Sequence, residues 1–397
     1  MKICIKRGAS EIGGSCVEIT ADNGKRLLVD LGLPFNAGDA AANLVPEIQT
    51  DNLCGLLLSH AHGDHYGLAH YLPAHIPTYA GHNTLALIEA INTYMRKKVP
   101  LANTHPFISF QTFIVDETFH ITPFPVDHSS FAAYSFLIEA DGKRVFYSGD
   151  FRAHGRTKKS VEKLMENPPG NIDVLLLEGT VLGRGDEVFP SEESLEARFI
   201  NVFKQTRGVA AVWSASTNID RIVTLYKAAV RSGRELVVPP HVGLITMKTG
   251  NKNIPNFRSF KKFHKWAESP TQPHAVSPEM ILDKPGKYVV FLRSPIIETM
   301  LQNGLFCPDA SFTYSMWSGY KENDHTKTLL ERIYRTGTHI APDIHTSGHA
   351  DVPTLKRFAE AINATRIVPI HTRAPGHYRE IFGDTVEQHA DNESFTV

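Results

Sequence analysis

The stretch Ser59-His60-Ala61-His62-Gly63-Asp64-His65 packs three imidazoles and one carboxylate into six positions. Imidazole nitrogen suits zinc, and a His/Asp set without thiolate suits a catalytic rather than a structural ion. His60 and His62 alternate, so they point the same way if the preceding strand continues, whereas Asp64 and His65 begin the next turn and can face a second ion. A surface His-rich loop would be the bland explanation, but the order H-x-H-x-D-H and its context argue against it. Three more donors stand at apparent strand ends: His128 in Val126-Asp127-His128-Ser129, Asp150 in Ser148-Gly149-Asp150, and His371 in Pro369-Ile370-His371. Alone, each is more often structural than catalytic. Together with the first cluster they supply ligands for two metals, Asp150 being a carboxylate able to bridge two cations. Asp30, in Leu28-Val29-Asp30-Leu31-Gly32, reads as a residue that orients ligands rather than binds metal.

These residues need a rigid frame, and the intervening sequence reads as one. Cys16 to Ile19 and Arg26 to Asp30 flank Asn23-Gly24, and Ala133 to Glu139 and Lys143 to Tyr147 flank Asp141-Gly142. Both dipeptides are hairpin signals. Gly55 to Leu58 and Asp173 to Leu177 are short apolar runs expected as buried strands, ending at the His60 cluster and at Glu178. The first ~150 residues are read as strands joined by tight turns. From Ser191, an expected N-cap, strand-like and helix-like segments alternate: Val209 to Trp213, Asn218 to Arg231, Glu235 to Val238, Tyr288 to Leu292 and Pro295 to Asn303. That rhythm predicts an α/β unit with a mostly parallel sheet. Val352 to Ile362 is expected as a helix and Arg366 to Ile370 as a strand ending at His371.

At 397 residues, two domains are the natural expectation. The 41 basic and 42 acidic residues nearly cancel, so a polyanion partner would have to be held by local charge. No apolar run approaches the ~18 residues of a membrane span, and Met1 to Arg7 carries no secretory h-region. Cys4, Cys16, Cys54 and Cys307 form no CxxC pair, which speaks against a thiolate zinc site or a disulfide framework; a reducing, cytoplasmic setting is expected.

The ordered set Asp30, His60-x-His62-x-Asp64-His65, His128 and Asp150 resembles the four motifs of the metallo-β-lactamase superfamily. Leu177-Glu178-Gly179-Thr180, Ser347-Gly348-His349-Ala350 and Pro369-Ile370-His371 resemble motifs A, B and C of its β-CASP branch, the nucleic-acid-processing nucleases that include RNase J and the endonuclease subunit of the pre-mRNA 3′-end machinery. Glu11-Ile12-Gly13-Gly14 and Phe146 to Arg152 also resemble RNase J. The resemblance runs almost end to end and is weakest from His241 to Pro285. It implies an αββα metallo-β-lactamase sandwich over residues 1–190 and 338–397, an inserted α/β β-CASP domain over 191–337, and a site in the cleft between them. It implies that His60, His62 and His128 bind one zinc, that Asp64, His65 and His371 bind the other, and that Asp150 bridges. His349 would contact the scissile phosphate and protonate the leaving oxygen, with Glu178 orienting it. The sequence departs from RNase J in having Glu178 where Asp is usual, as the pre-mRNA branch does. Thr372-Arg373 replaces the common Gly-Glu. The chain ends at Val397, so RNase J-type assembly and processivity are not expected to carry over.

The implied function is a zinc-dependent phosphodiesterase that cleaves single-stranded RNA, endo- or 5′–3′ exonucleolytically. Two Zn2+ ions, with Mn2+ as the alternative, would activate a shared hydroxide. The rivals are a DNA exonuclease of the β-CASP repair branch, a lactonase or thioesterase on the same metal motifs, and a non-catalytic binding subunit. His371, His349 and Glu178, and the completeness of the ligand set argue against them respectively. Ser214 and Ser216, before an expected helix, and His345 and Ser347, beside His349, are candidate phosphate or RNA contacts; ordinary N-capping is the favoured explanation of the first two, and a hydrogen-bonded structural role explains His345 equally well. Lys252 to Trp266 interleaves basic residues with Phe and Trp every three positions, which reads as a packed helix with a solvated basic face rather than a strand-binding surface. The remaining scattered histidines have no motif support.

Overall fold

The computed structural model describes residues 1–35, 37, 41–94, 101–185, 188–254, 257–260 and 275–397. Its chain divides into two units, Met1–Phe189 with Gly348–Val397, and Pro190–Ser347.

The first unit holds two sheets. One runs in the order Ser394–Thr396, Lys2–Arg7, Cys16–Thr20, Arg26–Val29, Leu53–Leu57, Thr78–Gly81, Thr104–Phe107; the other in the order Arg366–Ile370, Val174–Glu178, Lys143–Tyr147, Ala133–Ala140, Phe119–Val126, Phe113–Val115. Alternation decides what each face meets. Val174 and Leu176 join Ile3, Ile5, Val17, Leu27 and Leu57 in a core shared by both sheets, while Leu175 and Leu177 pack with Val161, Leu164, Leu355 and Phe358 of the helices Lys159–Glu166 and Val352–Ile362. Burial on both faces is why this strand reads as an unbroken apolar run. The helix His82–Tyr94 packs on Thr78–Gly81 and Thr104–Phe107. The unit is the αββα sandwich that the resemblance implies.

Both hairpins form where Asn23-Gly24 and Asp141-Gly142 place them. At the second, Asp141 and Gly142 both take positive φ, +52° and +70°. A two-residue turn needs that backbone to match the twist of its strands. The helix His82–Tyr94 corrects the expectation of strands alone in this region. Its buried positions include Thr84 and Asn92, so polar residues on the packed face obscure the 3.6-residue period.

In the second unit the sheet order is Ala275–Val276, Arg258–Phe260, Glu235–Val238, Tyr288–Leu292, Ala210–Ser214, Ser311–Ser315, His339–Ile340, and every neighbouring pair is parallel. The helix Glu192–Gln205, capped by Ser191, leads into the strand Ala210–Ser214, and the helix Ile219–Arg231 connects that strand to Glu235–Val238. The second of these is capped by Asn218, whose side chain accepts from Arg221 N at 3.0 Å, and not by Ser216. Much of Lys252 to Trp266 lies outside the described residues. Among those described, no helix is long and apolar enough to cross a membrane, and the four cysteines are free.

Candidate metal centre

Strand direction gathers the candidate donors on one rim of the sandwich. Lys143–Tyr147, Val174–Glu178 and Arg366–Ile370 are parallel. Phe119–Val126 runs the same way, because it and Lys143–Tyr147 are both antiparallel to Ala133–Ala140. The carboxyl ends of these four strands lead to Asp150, Glu178, His371 and His128. In the other sheet Arg26–Val29 and Leu53–Leu57 are parallel and lead to Asp30 and to Ser59-His60. Glu178 stands in register with Ile370, so His371 projects one residue beyond it.

Two groups of donors result. His62 Nδ1 lies 3.2 Å from His60 Nε2 and 3.1 Å from His128 Nε2. Asp64 Oδ2 lies 3.4 Å from His371 Nε2 and 4.0 Å from His65 Nε2. Asp150 stands between the groups, with Oδ2 3.0 Å from His65 Nε2 and 3.9 Å from His60 Nε2. Asp64 reaches its place because Gly32 lets the chain pass closely: a Cβ there would fall 1.7 Å from the Asp64 carbonyl oxygen.

The outer ring nitrogens determine what the inner ones offer. His60 Nδ1 donates to Ser59 Oγ at 3.0 Å, and Ser59 Oγ donates to Asp30 Oδ2 at 2.7 Å. His65 Nδ1 donates to the same oxygen at 2.7 Å, as does the Tyr147 hydroxyl at 2.8 Å. His128 Nδ1 donates to the Gly348 carbonyl at 2.6 Å. His371 Nδ1 donates to Thr180 Oγ1 at 2.7 Å, which donates to Glu178 Oε2 at 2.7 Å. Each of these rings therefore has its Nδ1 proton engaged and its Nε2 turned inward, the arrangement that second-layer partners impose on metal-binding imidazoles. Asp30, fully buried at φ +58°, is placed to orient ligands.

The donor set fits divalent cations. The Nε2 lone pairs of His60 and His128 face the inner nitrogen of His62 with no proton assigned between them by these networks. A zinc ion with ~2.05 Å bonds would set tetrahedral nitrogens ~3.3 Å apart, close to the spacing seen. His65 Nε2 is buried with no aligned hydrogen bond. Burial holds the His60 and His128 rings well below the usual imidazole pKa and lowers His62 to about 4, so all three are neutral at pH 7. His65 is displaced the other way: burial opposes its charge, but the carboxylates of Asp150, Asp30 and Asp64 outweigh burial. Those acids are the negative charge that a cation would neutralise in place of a proton.

Beside these groups, His349 Nδ1 is 3.2 Å from Glu178 Oε2 and 3.8 Å from Asp150 Oδ2, and these three residues with His371 form a further set of donors close enough to share an ion. Burial acts to lower the His349 pKa, but the charge of Glu178, the nearby Asp150 and the Glu178 hydrogen bond raise it above the ordinary value. Glu178 is itself buried and held by the Phe151 and Thr180 amides, both at 3.2 Å.

His60, His62, Asp64, His65, His128, Asp150, Glu178, His349 and His371 thus lie together in the first unit. Ser214, Ser216, His345 and Ser347 belong to the second and to none of the donor groups. Ser214 is buried at a strand end, and Ser216 Oγ is 2.9 Å from His241 Nε2. The relays through Ser59, Tyr147 and Thr180 carry no signal in the sequence beyond a hydroxyl next to a candidate ligand or motif.

The family described as Beta-lactamase superfamily domain matches residues 25–207. Ribonuclease J of Helicobacter pylori is 24% identical over 257 residues, 60% of this chain and 36% of that protein. The match therefore spans little more than a third of that relative's length. A UPF0173 metal-dependent hydrolase of Desulfitobacterium hafniense is 32% identical over 149 residues, 35% of this chain and 59% of that protein. A crystal structure of a protein of unknown function from Enterococcus faecalis V583 superposes with a TM-score of 0.84 at 17% identity, covering 100% of this chain and 99% of that one, a likeness of fold.

Proposed function

The chain carries a metallo-β-lactamase superfamily domain, and from that premise we propose that it is a β-CASP-type phosphodiesterase that cleaves single-stranded RNA with two divalent metal ions, zinc being the fitting ion and manganese its alternative. The observation that carries the reading is the pairing of two donor groups around Asp150 with a Glu178–His349 hydrogen bond beside them. His60, His62 and His128 would hold one ion, Asp64, His65 and His371 the other, with Asp150 shared. Bound there, the ions supply Lewis acidity toward a phosphoryl oxygen and make water more acidic.

The chain's own residues do the rest. Glu178 holds the His349 ring by Nδ1, leaving Nε2 to deliver a proton. As the bond from water oxygen to phosphorus forms, with that water's proton released to solvent, and the P–O3′ bond breaks, protonated His349 gives its proton to the departing 3′-oxygen, leaving a 5′-phosphate and a 3′-hydroxyl. In the second unit, Ser214, Ser216, His345 and Ser347 are proposed contacts to the phosphodiester chain.

One RNA sequence should be offered as single strand and as duplex, beside the same sequence as single-stranded DNA, each with and without a 5′-phosphate. Single-stranded RNA is expected to be cut fastest. Faster cleavage of DNA would move the protein to the repair nucleases, and turnover of a lactone or thioester with no nucleic acid cut would sink the nuclease reading.

Thr180 offers a second test. Thr180→Val keeps the side-chain volume and removes the hydroxyl joining Glu178 to His371. Losing such a partner typically weakens metal binding ~10–100-fold. Chelator competition should show that loss with the fold intact; unchanged affinity would remove Thr180 from the centre.

A further inference from the structure

We infer that the buried Asp127–Arg152 pair is a positioning clamp that fixes His128, in one donor group, relative to Asp150, which stands between the two. The inference rests on the metal-centre reading above. Asp127 immediately precedes His128, and Arg152 follows Asp150 by two residues. Their backbones form an isolated antiparallel bridge, with Arg152 N donating to the Asp127 carbonyl at 2.7 Å. Their side chains are both fully buried, with Arg152 Nε 3.5 Å from Asp127 Oδ1.

The following segment closes around the same carboxylate. Gly155 N donates to Asp127 Oδ2 at 2.7 Å, and the Thr157 hydroxyl donates to Oδ1 at 2.9 Å. A Cβ at Gly155 would lie 2.3 Å from Asp127 Oδ1 and 2.6 Å from Arg152 Nε, so an alanine there must push the carboxylate or the guanidinium aside. On the other side, Phe151 N donates to Glu178 Oε1 at 3.2 Å. The two residues after Asp150 are thus each tied to a buried carboxylate, one belonging to Glu178 beside His349 and the other to Asp127 beside His128.

A fully buried ion pair is a poor means of gaining stability alone, because desolvating both charges offsets much of their attraction. What this pair does supply is a defined distance. Donor groups must be held within ~0.5 Å of their working positions, and two strand ends joined only by apolar packing would not hold them so closely. Neither Asp127 nor Arg152 belongs to the donor groups, so the pair acts through His128 and Asp150.

The test uses the full chain loaded with Co2+, whose visible absorption reports ligand geometry. Asp127→Asn, Gly155→Ala and Thr157→Val are compared with the unaltered protein for Co2+ bound per chain, affinity by chelator competition, absorption spectrum, and metal-free thermal unfolding. Asp127→Asn and Gly155→Ala are expected to bind Co2+ ~10–100-fold more weakly, with an altered spectrum. Thr157→Val, which removes one hydrogen bond, should move both in the same direction by less. If Asp127→Asn does not fold, Gly155→Ala and Thr157→Val decide the matter. Folded variants that lower only the unfolding temperature, with unaltered affinity and spectrum, would overturn the clamp while leaving the metal centre standing. An unaltered protein that takes up no Co2+ would overturn both.

Discussion

Asp150→Ala is expected to abolish cleavage and to strip metal from a protein that still folds. Asp150 is almost fully buried, 3.0 Å from His65 Nε2 and 3.9 Å from His60 Nε2, so its loss takes the shared negative charge from both donor groups. Its carboxyl is held well below the usual range: burial opposes ionisation, but His371, His65 and His349 outweigh it. It is therefore an anionic donor across the working pH range. Elemental analysis after zinc loading should give two ions per unaltered chain and a marked deficit in the variant. Asp150→Asn, which keeps the shape without the charge, should lie near the alanine variant if charge is what matters. Two tightly held ions in Asp150→Ala would refute the shared-ligand assignment.

His349→Ala is expected to separate chemistry from metal binding. Losing a positioned general acid typically costs ~10²–10⁴-fold in rate. Metal content and fold should persist, because His349 Nδ1 lies nearer Glu178 Oε2, at 3.2 Å, than Asp150 Oδ2, at 3.8 Å, and its proposed work is on the leaving oxygen. A variant lacking one ion would instead make His349 a ligand, and a near-normal rate would remove it from the reaction. Glu178→Gln gives the pH signature. Glu178 raises the His349 pKa, so the protonated acid is present below that pKa and lost as pH rises through it. Without the Glu178 charge, the alkaline fall in rate should move to lower pH. An unshifted limb would mean that another group sets it.

Much of this centre was legible because its densest part is local. His60, His62, Asp64 and His65 lie within one strand end and the turn that follows. His128, Asp150 and His371 were recognisable as donors closing apolar runs, and the runs themselves were legible from burial on both faces. The helix His82–Tyr94 was not, because Thr84 and Asn92 occupy its buried face. Ser216 was read as a possible cap from its hydroxyl alone, and backbone geometry gave that task to Asn218.

The sequence by itself determined which residue types could bind metal and roughly where strands would end, since both follow from side-chain chemistry and short-range periodicity. The tertiary structure decided which donors meet and which atom each presents. His371 reaches Asp64 across 307 positions only because Arg366–Ile370 pairs in parallel with Val174–Glu178. His62 faces the group with Nδ1, whereas His60 and His128 use Nε2, a choice made by Ser59 and the Gly348 carbonyl on their far sides. Asp127 and Arg152 became partners by the same kind of long-range closure. A ring nitrogen's role depends on the partner of the other nitrogen, and that partner comes from strand order and packing rather than from neighbours in the chain.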